Sequence, residues 1–159
     1  MPTDASFSVP DISFPSMKDL RTACLSLPEP DRAWGDRIRQ RDALLTKPLG
    51  SLGRLEELAL WLGEWQGTER PVLDKVQITI FAGNHGVVQR GVSPWPSDVT
   101  SQMVANFEHG GAAINQLART AGADLNVVCL QNLQATEDLS QTAAMTEEDF
   151  LAAVSAGYS

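Results

Sequence analysis

The chain has 159 residues, 43% hydrophobic and 20% charged, and twelve Lys+Arg against twenty Asp+Glu leave a formal net charge of −8. That composition suits a globular protein and excludes a disordered or fibrous one, while the acidic balance excludes a nucleic-acid partner, because phosphate binding needs a cationic footprint. No stretch approaches the ~20 consecutive apolar residues of a membrane span, and Met1–Pro15 lacks the basic and apolar regions of a secretory signal.

A cytoplasmic protein without a membrane partner is therefore expected, with Cys24 and Cys129 as buried, reduced thiols. Residues 1–15, rich in Ser, Pro and Asp and without periodicity, read as a flexible lead-in. Ser16 can cap a helix over Met17–Leu27, and Asp31 one running to about Leu45. The arginines of the second, Arg32, Arg37, Arg39 and Arg41, could hold an anion or form a solvated face with Asp36 and Asp42 as local partners.

The loop Thr46–Gly53 has two glycines ahead of a helix. It could be an anion-binding helix start or a structural turn; it lacks the glycine spacing and closing Lys-Ser/Thr of a P-loop. The following helix, Gly53–Trp65, shows a broad apolar stripe of Leu55, Leu58, Ala59, Trp61, Leu62 and Trp65. These helices make a predicted segment over 16–66, and residues 67–159 read as the first part of an α/β domain.

Lys75–Ala82 (KVQITIFA) alternates β-branched and polar residues, so a strand is predicted there. It runs into Gly83-Asn84-His85-Gly86, a turn that presents a polar pair at the strand's carboxyl end, where open α/β sheets bind ligands. His85 in this position can serve as acid, base, ligand or orienting partner, or can simply hold the loop together. A metal site is not expected, because His109 lies a helix away and no cluster has ligand spacing.

Trp95, between Pro94 and Pro96, is either core or a stacking platform for a flat ligand. Ser97 is placed as the cap of a helix over Asp98–Glu108 with Val99, Met103 and Phe107 on one face. A small-residue helix over Ala112–Ala121 and a second strand over Asp124–Leu130 follow. Strand, helices and strand in that order imply parallel pairing by a crossover. Gln131–Ala144 reads as polar and irregular, and Thr146 with an acid three residues on opens a last helix. Two parallel strands make no stable sheet alone, so the α/β, three-layer Rossmann-like sheet expected is incomplete in this chain, which is either one piece of a larger chain or takes its missing strands from elsewhere.

The run Lys47–Glu56 (KPLGSLGRLE) and the blocks Phe81–Val87, Gly91–Ser93, Val99–Thr100 and Gly110–Asn115 resemble nicotinate-nucleotide:dimethylbenzimidazole phosphoribosyltransferase, a family of cobalamin biosynthesis. The resemblance extends to Ala144–Glu147 and covers the N-terminal half of such an enzyme. It implies transfer of phosphoribose from nicotinate mononucleotide to 5,6-dimethylbenzimidazole, giving α-ribazole phosphate, in a cytosolic homodimer that uses no cofactor and no metal. It also implies that the catalytic glutamate and the main phosphate loops lie beyond Ser159.

What this half would supply is a wall of the base pocket, with Trp95 and Met103 against the flat base, Ser93 and Gln102 behind them, and Asn84 and His85 organising the loop. Many members carry Asp where this chain has Asn84. A reading of another class also stands: a stand-alone, non-catalytic module that binds a flat aromatic ligand or a partner subunit. So does a different nucleotide enzyme on a similar fold.

Overall fold

A computed structural model describes residues 13–158; the first twelve residues of the expected lead-in, and Ser159, lie outside the described residues. The described chain forms two compact units, one of the residues up to Leu25 with those from Lys75 onward, the other of Ser26–Asp74.

The Ser26–Asp74 unit is a pair of helices, α2 (Arg32–Asp42) and α3 (Arg54–Gln66). Asp31 caps α2 as its sequence position predicts, its carboxylate accepting the Ala33 N–H at 2.9 Å. Gly67, at φ 62° in the left-handed region, ends α3. The helices approach closely where each has a glycine. A Cβ on Gly63 would lie 2.1 Å from Ile38 Cδ1 and 2.7 Å from the Thr68 carbonyl oxygen, and one on Gly35 would meet Glu64. The predicted apolar stripe of α3 is largely uncovered, with Leu55, Leu58, Trp61 and Trp65 all exposed. The reason is geometric: α2 meets α3 along the Gly63–Glu64 edge, the only buried positions of α3.

The loop into α3 is pinned by an ion trio. Lys47 Nζ donates to Asp42 Oδ2 at 2.9 Å and to Glu56 Oε1 at 2.7 Å, and the same Glu56 oxygen accepts the Leu52 N–H at 3.1 Å. The hydrogen bond from Glu56, followed by that from Asp42, raises the Lys47 ammonium above its ordinary pKa, and Lys47, followed by the Leu52 N–H, holds Glu56 below the usual carboxylate range.

In the other unit, α1 (Met17–Leu25) is capped by Ser16, whose Oγ accepts the Asp19 N–H at 3.2 Å. The contacts group α1 with α6 (Glu147–Tyr158) rather than with α2 and α3: Phe14 N–H donates to Ser155 Oγ at 2.9 Å, and the Phe14 and Tyr158 rings meet edge to face at 5.0 Å. The sheet is β1 (Gln77–Ala82) beside β3 (Asp124–Cys129), parallel, with Gln77 opposite Asp124 and Ala82 opposite Cys129. Between them run α4 (Asp98–Glu108) and α5 (Ala113–Ala121), so the chain has the α/β order and parallel pairing expected. A second short parallel pair, β2 (Asn84–His85) with β4 (Ala135–Thr136), lies beyond the strand ends.

Two expectations need correction here. Cys24 and Cys129 are exposed, not buried, because α1 buries no residue and a two-stranded sheet leaves the end of β3 uncovered. Ser97 occupies the N-cap of α4 but makes no capping bond, since its backbone at φ −59°, ψ −27° is already helical and turns the side chain away from the free amides. Thr146 does cap α6: its Oγ accepts the Asp149 N–H at 3.1 Å while Asp149 Oδ2 accepts the Thr146 N–H at 3.3 Å.

Gly63→Ala tests the close packing of α2 on α3. The added methyl has backbone on one side and Ile38 on the other, so a loss of about 1–3 kcal/mol is expected, read as a lower midpoint in urea unfolding followed by circular dichroism. An unchanged midpoint would contradict the packing described.

Candidate functional site

The site forms where both strands end. β1 delivers Gly83-Asn84-His85-Gly86 at its carboxyl end, and β3 delivers Gln131–Thr136 at the adjacent one, the position at which parallel sheets offer loops to ligands. Four contacts bind the two loops together. Asn84 and His85 pair with Ala135 and Thr136 through the backbone. Asn84 Nδ2 donates to the Leu133 carbonyl at 2.9 Å. Gly86 packs so closely that a Cβ there would lie 2.4 Å from the Thr136 oxygen and 2.8 Å from the Asp138 nitrogen, so only glycine fits. Arg90 Nε donates to Asp138 Oδ2 at 2.6 Å.

The segment after β3 takes an uncommon path. Gln131, Asn132 and Leu133 have φ of 48°, 51° and 62°, three successive non-glycine residues in the left-handed region, and the Gln134 N–H closes the turn on the Gln131 carbonyl at 3.0 Å. Beyond it a cleft of about 640 Å³ opens, lined by residues including Gln131, Gln134, Thr136, Glu137, Met145 and Asp149. Its lining contains acids, amides and hydroxyls but no lysine or arginine, so it has no charge with which to hold a phosphate.

Asp138 is the most perturbed group here. The Ser140 hydroxyl, then Arg90, then the Ser140 N–H hold its pKa at about 2 instead of 3.8. Among the described residues no three His, Cys, Asp or Glu side chains converge as metal ligands, and no helix is long and apolar enough to cross a membrane.

With this geometry in view, the comparisons with known proteins are decisive. A family profile described as "Phosphoribosyltransferase" matches residues 27–159. The chain belongs to this family. Within the phosphoribosyltransferase family it is 57% identical, over 91% of its length, to the nicotinate-nucleotide–dimethylbenzimidazole phosphoribosyltransferase of Mesorhizobium japonicum, of which it spans 43%. It is 49% identical to the enzyme of the same name from Ruegeria pomeroyi, over 91% of this chain and 44% of that one. A crystal structure bearing that name from Thermus thermophilus superposes with a TM-score of 0.75 at 39% identity, covering 80% of this chain and 43% of that one. The chain thus spans less than half the length of these phosphoribosyltransferase relatives, and its fold is an incomplete Rossmann-like sheet.

Among the candidate residues Ser93 bonds Trp95, Asn84 bonds Thr100 outside the set, and the side chains of His85, Gln102 and Met103 are exposed. Ser93 Oγ accepts the Trp95 N–H at 3.1 Å and donates to the Trp95 carbonyl at 3.2 Å, which fixes the backbone of the Pro-Trp-Pro segment while 67% of Trp95 stays exposed. Asn84 Oδ1 accepts the Thr100 hydroxyl at 2.6 Å, tying the strand-end loop to the first turn of α4. Met103, one turn further along α4, is 40% exposed, and Gln102 is exposed beside it. The ring of His85 is exposed and has no hydrogen bond among the described residues; its backbone, not its imidazole, joins β4. Sequence reasoning did not find the Gln131–Leu133 turn or the Arg90–Asp138 pair. Asn132, a residue type that tolerates the left-handed region, was the one local signal for the first; the second, whose partners are 48 positions apart, had none.

The depressed pKa of Asp138 gives a pH prediction. A carboxyl lowered on folding stabilises the folded state above its unfolded pKa and loses that contribution as pH falls through its folded one. The bonds that the Asp138 carboxylate accepts from Ser140 and Arg90 are therefore intact at neutral pH and lost as pH falls from 3.8 toward about 2. Asp138→Asn is expected to flatten the acid limb of the unfolding curve in that window relative to wild type, followed by circular dichroism. Superimposable acid limbs would refute this contribution of Asp138.

Proposed function

We propose that this chain is the N-terminal portion of a phosphoribosyltransferase that moves phosphoribose from nicotinate mononucleotide to 5,6-dimethylbenzimidazole, giving α-ribazole phosphate for the lower ligand of cobalamin. The observation that carries this is the 57% identity over 91% of the chain to a protein of that name. The contribution of the chain is one wall of the base pocket: Trp95 and Met103 offer an aromatic and a thioether surface to a flat base, with Ser93 and Gln102 as the nearby polar groups. Their exposure supports the assignment, since a wall must present apolar surface to its ligand.

The catalytic base and the phosphate-holding loops are assigned to the portion of the family's length that this chain does not span. The cleft beyond β3, without a cation in its lining, supports placing the phosphate elsewhere. Assembly as a homodimer and a cytoplasmic setting complete the proposal.

Mixed with nicotinate mononucleotide and 5,6-dimethylbenzimidazole, the 159-residue chain is expected to release no nicotinate and form no α-ribazole phosphate by chromatography; turnover by the chain alone would overturn the division of labour. The wall itself is tested by titration calorimetry. Heat of binding from 5,6-dimethylbenzimidazole is expected with wild type, and Trp95→Ala should weaken it about tenfold, in line with the loss of one aromatic stacking surface. Equal binding by the variant would remove Trp95 from the wall.

A further inference from the structure

The Asn84 side chain bonds both α4 and the turn after β3, and its chemistry at the two ends is opposite. Its Oδ1 accepts the Thr100 hydroxyl at 2.6 Å, and its Nδ2 donates to the Leu133 carbonyl at 2.9 Å. A neutral primary amide can do both at once from a rigid planar group; a carboxylate at the same place can only accept, and would set an anionic oxygen against the Leu133 carbonyl. A hydroxyl is too short to reach both partners.

Each end meets something that needs a tether. Leu133 is the last of three left-handed residues, a conformation with no glycine to ease it, and it delivers Ala135 and Thr136 to their pairing with Asn84 and His85. Thr100 is in the first turn of α4, where Ser97 gives no side-chain cap; the Val99 and Thr100 amides close on the Pro96 and Ser97 carbonyls at 3.1 and 3.0 Å, and the Asn84 bond anchors the Thr100 side chain from outside the helix. Met103 follows three residues later on the neighbouring turn, and Gln102 beside it.

We propose that Asn84 is a specificity-determining positioning residue, whose two-ended amide sets the placement of α4, with Gln102 and Met103, relative to the left-handed turn Gln131–Leu133. The role in specificity rests on the reading of α4 as part of the base-binding wall. The bridge itself does not. Because one planar group makes both bonds, a disturbance at Thr100 rotates the amide and is felt at Leu133. Two independent local bonds would not transmit it.

Amide hydrogen exchange on the full 159-residue chain, read by mass spectrometry, tests this with three variants. Asn84→Asp is expected to speed exchange about tenfold both at the start of α4 and over Gln134–Thr136. Thr100→Val is expected to do the same over Gln134–Thr136, on the far side of Asn84 from the substitution. Thr100→Ser, which keeps the hydroxyl, should exchange like wild type. Wild-type exchange at Gln134–Thr136 in Thr100→Val, or disturbance by Thr100→Ser equal to that by Thr100→Val, would overturn the bridge. The same measurement on wild type with 5,6-dimethylbenzimidazole added is expected to show slower exchange around Gln102 and Met103. Absence of that slowing, with the variants behaving as expected, would overturn the role in base specificity and the wall reading beneath it while the bridge stands.

Discussion

The amide of Asn84 accepts from Thr100 and donates to Leu133, and that pair of bonds joins three segments, the loop after β1, the start of α4 and the turn after β3. Magnitudes show why it does not act alone. A left-handed non-glycine residue costs roughly 1–2 kcal/mol, and three occur in a row. A neutral hydrogen bond returns only about 0.5–1.5 kcal/mol net. The turn must therefore be held by several contacts together: the Gln134 to Gln131 closure, the Asn84 bond, the β2–β4 backbone pair, the close seat of Gly86 and the Arg90–Asp138 pair. The first closes the turn on itself, and the other four tie the loop after β1 to the loop after β3, so the two behave as one platform at the sheet's carboxyl end.

That platform rests on a thin foundation. The buried apolar residues of the described chain are few, Phe14, Ile38, Ala82, Ala112, Ala118 and Leu151, and no large side chain is fully enclosed. The cause is topological. A parallel sheet gains stability from interior strands covered on both faces, and a sheet of two strands has no interior strand. Phe81, 47% exposed, illustrates this: it sits in β1 with the backbone of Gly157 near its ring, yet half its surface meets solvent. Order at the strand ends therefore derives more from polar bonds and glycine contacts than from hydrophobic enclosure, which gives single polar side chains such as Asn84 unusual leverage.

Most of the elements were legible in the sequence because their signals are local. Period-two alternation from Val76 to Ile80 marked β1, the Asp31 and Thr146 caps marked two helix starts, and the order strand, helix, helix, strand implied the parallel pair. Burial was not legible. The stripe of Leu55, Leu58 and Trp61 on α3 has the pattern of a buried face, but pattern states only that a surface is apolar, and what covers it is a property of the rest of the fold. The site was legible in composition and not in wiring. Gly83-Asn84-His85-Gly86 was recognisable as a loop at the carboxyl end of a strand, and its histidine drew attention as the group with the most versatile chemistry. The structure gives the connections to Asn84, because its partners Thr100 and Leu133 lie 16 and 49 residues away, a separation that no window of sequence reports.

The loop before α3 shows how geometry decides between two readings that composition leaves open. A lysine followed by glycines ahead of a helix fits an anion site as well as a structural turn. Lys47, however, has both an aspartate and a glutamate within hydrogen-bonding distance, at 2.9 and 2.7 Å, and its side chain is only 13% exposed. A cation shared by two carboxylates leaves a net negative charge, so the trio repels a phosphate. The Leu52 N–H, one of the amides that would face such an anion, is already donated to Glu56. Gly50 and Gly53, at φ 71° and 54°, serve the path of the turn. Charge and donor accounting both support the structural-turn reading of this loop.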